Sequence, residues 1–201
     1  MRTLPYDARL EHLLASAAKV FAAKGYHATT MRDLARASGM SLAGMYYYVR
    51  GMDELLYLIQ DRCFTQVLGE AQAALDALDD PAERLREFIH HHITFFSQHR
   101  AEMKVLSHEA QSLSRARLTG ITALKRRYVN LLLGLIEQAE PEAELPQRTA
   151  AAYALFGMMN WIYTWYDPAG PIAPPALAEQ FAQIFLQGLL HAEPATAPHG
   201  G

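Results

Sequence analysis

Cysteine is nearly absent from this sequence: Cys63 is the single one in 201 residues. Neither an intrachain disulfide nor a cysteine-based zinc site can therefore form, which suits a reducing cytosol. Excess positive charge is absent too. The formal net charge is −3 and 19% of residues are charged, which excludes a surface coated in nucleic-acid-binding charge. A membrane-length apolar run is also missing. The stretch that invites that reading, Ala150 to Tyr166, is broken by Asn160 and Thr164. It falls short of the roughly 20 residues a spanning helix needs and has no basic flank, so a helix buried on nearly all sides fits better. The opening Met-Arg-Thr-Leu-Pro-Tyr-Asp lacks the apolar core of a signal peptide, and a cytoplasmic protein with no membrane partner is expected. Sustained period-two alternation of β-branched residues is missing as well, which leaves helices.

What is present is enough apolar material, 51% of the chain, to bury a sizeable core without disulfides or metal. The charge is unevenly spread. Met1 to Leu56 holds seven Lys/Arg against five Asp/Glu, a balance of +2, whereas the remainder holds eleven against sixteen, a balance of −5. The N-terminal part is the better candidate for an anionic partner.

Helical periodicity runs through almost every segment. Leu10, Leu13, Leu14, Ala17, Val20 and Phe21 mark one face of a first helix that Gly25 ends. Thr29 or Thr30 caps a second through about Ser38, Gly39 turns the chain, and Ser41 caps a third that is over by Gly51. A long fourth helix begins near Asp53 and is broken by Asp79, Asp80 and Pro81. Further helices are expected at Pro81 to Gln98, Arg100 to Gln111 and Arg115 to Ala139. An eighth contains the apolar run, and a ninth extends from about Pro175 to His191. The expected fold is all-α with about nine helices: residues 1–52 form a three-helix helix-turn-helix unit, 53–192 a ligand-binding and dimerisation bundle, and 193–201 a disordered tail.

The helix-turn-helix reading rests on Thr29 to Ser41. Two short helices meet at Gly39, which permits the turn, while Ala35 permits close approach and Leu34, Met40 and Met45 supply apolar contact. Such a unit offers the N-terminal turns of its second helix to the major groove. Tyr46, Tyr47 and Tyr48 follow one another, and successive helical residues stand about 100° apart. At least one must point outward, where a tyrosine can bond a phosphate and pack on sugar.

In order and spacing, Gly25-Tyr26, Thr29-Thr30, Leu34-Ala35, Gly39-Met40-Ser41, the Tyr46 helix and Leu55-Leu56 resemble the N-terminal domain of the TetR family of transcriptional regulators, over residues 9 to 56. The resemblance implies that Thr30, Leu42, Ala43, Gly44, Tyr46 and Tyr48 face DNA, that Met45 and Val49 face the core, and that Tyr47 backs onto the fourth helix. One position departs from the family. Met52 stands where a phosphate-binding Lys is common, and Arg50 is expected to supply that charge. Leu42, Ala43 and Gly44 have no side-chain donors, so base reading there would use thymine methyls and close backbone approach.

The same resemblance implies a homodimer on a palindromic double-stranded operator, paired through the last two helices as a four-helix bundle. Phe156, Met159, Tyr163, Phe181, Phe185 and Leu189 are the candidate dimer residues. Gly157 to Tyr166 with the Asp167 to Pro171 loop, together with Leu42 to Val49, resemble regulators that answer to acyl-CoA thioesters. A small hydrophobic effector, acyl-CoA first, is expected to release the operator. His92, Phe96, Met103, Arg115, Tyr128, Trp161 and Trp165 are the candidate ligand residues. Arg84, Arg86, Arg115, Arg117, Lys125, Arg126 and Arg127 are available for phosphates, though a solvated face explains them equally. No enzyme and no cofactor is expected. A helical metal enzyme is the competing reading, from Glu87 and the His90-His91-His92 run. A di-iron bundle needs a second Glu-x-x-His, which the chain lacks, and three adjacent histidines do not converge on one ion. A pure interaction protein is the other alternative.

Overall fold

The computed structural model describes residues 6–190, apart from the side chains of Ala110, Leu189 and Leu190. The expected tail, 193–201, lies outside the described residues. Within them the chain is all-α. Its helices are α1 (Tyr6–Lys24), α2 (Met31–Ser38), α3 (Leu42–Tyr48), α4 (Met52–Leu75), α5 (Pro81–Gln98), α6 (Arg100–His108), α7 (Arg115–Ala139), α8 (Leu145–Asn160), α9 (Ile162–Trp165) and α10 (Pro174–Leu190), with a 3-10 turn at Ala110–Ser112.

Local chemistry sets most of these boundaries. Gly25 and Gly39 take φ of +82° and +66°, the left-handed conformation that costs glycine nothing. At Gly39 the next amide, Met40 N, donates to Ala35 O at 3.1 Å and closes α2. Thr30, not Thr29, caps α2. Its hydroxyl accepts from Asp33 N, while Asp33 Oδ2 accepts from the Thr30 amide at 3.0 Å, a reciprocal capping box. Thr29 is buried and donates to Gly25 O instead. Asp80 caps α5 by accepting from Glu83 N, with Pro81 in the first turn.

The apolar run divides where a single helix is expected. The amide and hydroxyl of Thr164 both donate to Trp161 O, at 3.1 and 2.7 Å, and this tightened turn separates α8 from the four-residue α9, so that the described residues hold ten α-helices, in line with the about nine expected. No described helix is long and apolar enough to cross a membrane.

One buried cluster joins Leu13 and Phe21 of α1, Leu34 of α2, Met45 of α3, Leu55 and Leu56 of α4, and onward through Phe88, Ile121, Leu155 and Leu186. α5 is central, packed against α4, α7 and α10. Glu179 of α10 receives both Arg86 and His90 of α5. These hydrogen bonds, Arg86 foremost, hold the Glu179 carboxyl down at about 2.

Candidate nucleic-acid interface and effector cavity

The reading helix is fixed by what it buries. Met45 and Val49, four residues apart, are almost fully buried and set the rotation of α3. Ser41 accepts from Gly44 N at 3.0 Å to start the helix. Behind it, His12 of α1 donates from Nε2 to Ser38 O at 3.1 Å, and Lys24 pairs with Asp33 at 3.2 Å, locking α1 to α2. Two bonds from Thr30, then Lys24, hold the Asp33 carboxyl down at about 2.

The outward face of α3 carries Ala43, Tyr46 and Tyr47, with Arg50 just beyond and Leu42 and Gly44 half-buried at its start. Tyr47 does not back onto α4. It is 74% exposed, more than Tyr46 at 54%, and meets Tyr6 and Tyr48 edge-on. With Met45 and Val49 inside, Tyr47 stands opposite the core at about 100° per residue, and Tyr46 and Tyr48 flank it. Tyr48 is half-buried, its ring 4.8 Å from that of Tyr6, so it presents an edge rather than a face. Thr30 is exposed, but its hydroxyl donates to Asp33 Oδ2 at 2.8 Å. Met52 is partly buried on the core, while Arg50 is exposed with its amide donating to Glu54 Oε2.

A cavity of about 270 Å³ opens among α4 to α8, walled by Phe64, Phe96, Met103, Leu106, Val129 and Phe156. Its polar points are His92, Ser107, Lys125, Tyr128, Tyr153 and Asn160. Four of the candidate ligand residues, His92, Phe96, Met103 and Tyr128, line it. The other three do not. Arg115, Trp161 and Trp165 are exposed and outside the lining, because Trp161 lies at the break between α8 and α9, on the outer side of the bundle. Phe64, Leu106, Ser107, Val129, Tyr153, Phe156 and Asn160 were not among the candidate ligand residues, and Lys125 was named only as a cation available for phosphates. The apolar ones are spaced as in any core, and only packing reveals the gap between them.

His92 is fully buried and its Nδ1 lies 3.0 Å from the Tyr128 hydroxyl. Burial, and then His91, lower its pKa to about 3 against an opposing bond from Asn160, so it is neutral at pH 7. Burial pushes the Tyr128 hydroxyl well up. The histidine run does not converge: His90 turns to Glu179 at 3.0 Å, His91 to Glu70 at 3.5 Å, and His92 inward. Among the described residues no group of three His, Cys, Asp or Glu is placed to hold a metal ion.

The candidate dimer residues separate in the same way. Phe156, Met159 and Phe185 are buried within the protomer, Phe156 between Phe88 and Tyr128, so they belong to its own core. Tyr163 and Phe181 are half-buried, and the Leu189 side chain lies outside the described residues. Among the described residues, the large apolar groups that α8 and α10 expose are Leu145, Tyr153 and Ile184, with Trp161 exposed just after α8. Arg86 and Arg117, counted as free for phosphates, are committed to ion pairs with Glu179 and Asp53.

The segment after α6 ties cavity to reading head. Met103, Leu106 and Ser107 of α6 line the cavity. A few residues on, Glu109 accepts from the Tyr26 amide at 3.0 Å and Ser112 Oγ meets His27 Nε2 at 3.2 Å. The Ser114 amide and hydroxyl donate to Asp53, both at 2.9 Å, and Arg117 pairs with Asp53 at 3.0 Å. The turn after α1 and the first turn of α4 are thus held from one strap.

Known proteins share both halves of this arrangement. Residues 13–57 match the model for bacterial regulatory proteins of the tetR family, and residues 78–189 match the tetracyclin repressor-like C-terminal domain. The HTH-type transcriptional repressor KstR2 of Mycobacterium tuberculosis is 24% identical over 187 residues, covering 91% of this chain and 94% of that protein. A TetR-family regulator from Bordetella parapertussis superposes with a TM-score of 0.87 at 26% identity, covering 94% of this chain and all of that one. AibR, solved with isovaleryl coenzyme A and operator DNA, superposes with a TM-score of 0.76 at 27% identity over 89% of this chain and 96% of its own. With a helix-turn-helix head, a helical cavity domain and matches across both, this chain belongs to the TetR family of DNA-binding transcriptional regulators.

Proposed function

We propose that the protein is a homodimeric repressor that leaves a palindromic operator when a small hydrophobic effector, an acyl-CoA thioester first among candidates, enters the α4–α8 cavity. The observation that carries this reading is the strap from Glu109 to Arg117. It joins the cavity wall to the two elements that orient α3, so a ligand that shifts α6 changes the spacing of the two reading heads through its differential affinity for the two arrangements. Ala43, Leu42 and Gly44 approach bases, Tyr46, Tyr48 and Thr30 bond the backbone, and Arg50 meets a phosphate in place of the family's lysine. The thioester reading is supported by AibR, which holds isovaleryl coenzyme A and operator DNA together, and by an apolar cavity whose size suits a short acyl group. Tyr153 of α8 and Ile184 of α10, with half-buried Phe181 and with Trp161 just after α8, give this end of the bundle the exposed apolar face on which a second copy would pair.

Selection of bound DNA from a random pool, repeated with short-chain acyl-CoA thioesters added, tests reader and switch together. An enriched palindrome lost in the presence of one thioester is expected. An unenriched pool would overturn the repressor reading, and an enriched palindrome indifferent to every thioester would overturn the effector.

A further inference from the structure

Lys125 of α7 is a charge without a counter-ion inside an apolar cavity. It is half-buried, its ammonium 5.8 Å from the centroid of Phe64 and donating only a long bond, 3.4 Å, to Leu106 O. Among the described residues no carboxylate lies within ion-pairing distance of it. Three other half-buried cations of the bundle have carboxylate partners: Arg86 pairs with Glu179, Arg117 with Asp53 and Glu54, Arg148 with Glu137. Arg84 and Arg100 are half-buried without one, but Lys125 alone of these cations lines the cavity. Burial lowers the Lys125 pKa, the mark of an ammonium stripped of water and not repaid by a partner. A second polar group in the same cavity, His92 Nε2, is buried beside Asn160 but makes no hydrogen bond of ordinary geometry.

We propose that the effector carries a carboxylate of its own, held by Lys125, beside an apolar body that fills the cavity against Phe96, Met103 and Phe156. The proposal rests on the effector reading above and narrows it. A plain acyl thioester offers Lys125 nothing charged, since the thioester carbonyl is neutral and the phosphates of coenzyme A lie beyond the uncharged pantetheine arm. A cavity of about 270 Å³ accommodates a short acyl group but not that arm. An acid group on the body itself removes the mismatch. Free acids and acyl-CoA thioesters bearing a terminal carboxyl share this chemistry.

Calorimetry on the full-length protein with two matched pairs separates them: hexanoate against hexanamide, and adipoyl-CoA against hexanoyl-CoA. In at least one pair the carboxylate-bearing member binds at least tenfold more tightly. Lys125→Gln and Lys125→Met each lose ten- to a hundredfold of that affinity, the size of a lost charge-assisted hydrogen bond, and hold the neutral member within about twofold. Thermal melting of both variants confirms that they fold. The proposal is overturned if the neutral members bind as tightly as the charged ones, if both variants keep the charged probe, or if none of the four binds. Its fate is separable from that of the repressor reading. A palindrome released by a neutral thioester equally well in Lys125→Gln would sink the carboxylate and leave the repressor. Lys125-dependent carboxylate binding by a protein that selects no DNA would do the reverse.

Discussion

Glu109 and Tyr26 are 83 residues apart, yet the Glu109 carboxylate accepts the Tyr26 amide at 3.0 Å. Ser112 donates to the other oxygen of the same carboxylate at 2.8 Å, so the group bridges the turn after α1 and the 3-10 turn after α6. A charge-assisted bond of this kind contributes about 1.5–3 kcal/mol. Glu109→Gln weakens it and Glu109→Ala removes it. The alanine variant is expected to lose about 1–2 kcal/mol of stability in urea unfolding and to exchange the Tyr26 amide proton faster. Its operator binding is expected to respond less to whatever effector the wild type obeys. Unchanged exchange at Tyr26 would show that the strap does not hold the reading head.

The reading face itself divides into positions with different expected readouts. Tyr46→Phe is expected to lower operator affinity several-fold, and Tyr48→Phe less, because the Tyr48 ring is already engaged with Tyr6. If the double variant binds like the wild type, the tyrosine assignment is wrong. Arg50→Gln is expected to weaken binding to all sequences alike and to reduce the slope of log affinity on log salt by about one. Gly44→Ala also bears on this face. An added Cβ would lie 3.1 Å from Ser41 Oγ, the hydroxyl that caps α3, so reduced affinity there reports a disturbed helix start as well as a lost approach to the bases.

How far these sites were legible depended on whether a local rule determined them. Gly25, Gly39, Ser41 and Asp80 act over four residues or fewer, and the helix boundaries read from them stand. The all-α class followed in the same way from periodicity. Tyr47 was misplaced although the rule was in hand: once Met45 and Val49 are taken as the buried pair, 100° per residue puts Tyr47 opposite the core. The cavity was half legible. His92, Phe96, Met103 and Tyr128 are inward-facing aromatic or apolar groups on mid-chain helices, whereas Lys125 reads in sequence as one more cation beside Arg126 and Arg127. Trp161 and Trp165 were candidate ligand residues in the Gly157 to Tyr166 segment, but both are exposed, at a turn where Thr164 bonds Trp161 O, a feature that periodicity ignores.

Buried and exposed apolar groups on α8 and α10 are expected to respond oppositely. Phe156→Ala removes a ring packed on Phe88, His92 and Tyr128 and is expected to cost about 3–5 kcal/mol, partly offset by its place at the cavity edge. Ile184→Glu, at a position 62% exposed, is expected to leave the protomer folded by circular dichroism and to shift sedimentation velocity from dimer to monomer. A dimer that survives both Ile184→Glu and Tyr153→Glu would mean that another surface pairs the protomers.

His92 supplies the last prediction, because its burial fixes the sign of a pH effect. Its folded pKa is lowered to about 3 from an unfolded value of 6.5, so the folded state resists a proton that the unfolded chain accepts readily. The stabilisation is complete above pH 6.5 and is lost as pH falls from there toward 3. Across the part of that window above the carboxylate range, each pH unit costs up to about 1.4 kcal/mol for a fully buried group. Wild-type protein is therefore expected to lose roughly 1–2 kcal/mol between pH 7 and pH 5 from this residue. His92→Gln retains polarity without titrating, and its stability curve over the same interval is expected to be flatter by that amount. The comparison between the two proteins, not the slope of either, isolates the residue, since the other histidines and the carboxylates Asp33 and Glu179 contribute alike to both. If the two curves run parallel from pH 7 to pH 5, His92 takes up a proton in the folded protein, and the cavity that holds it is wetter than its burial implies.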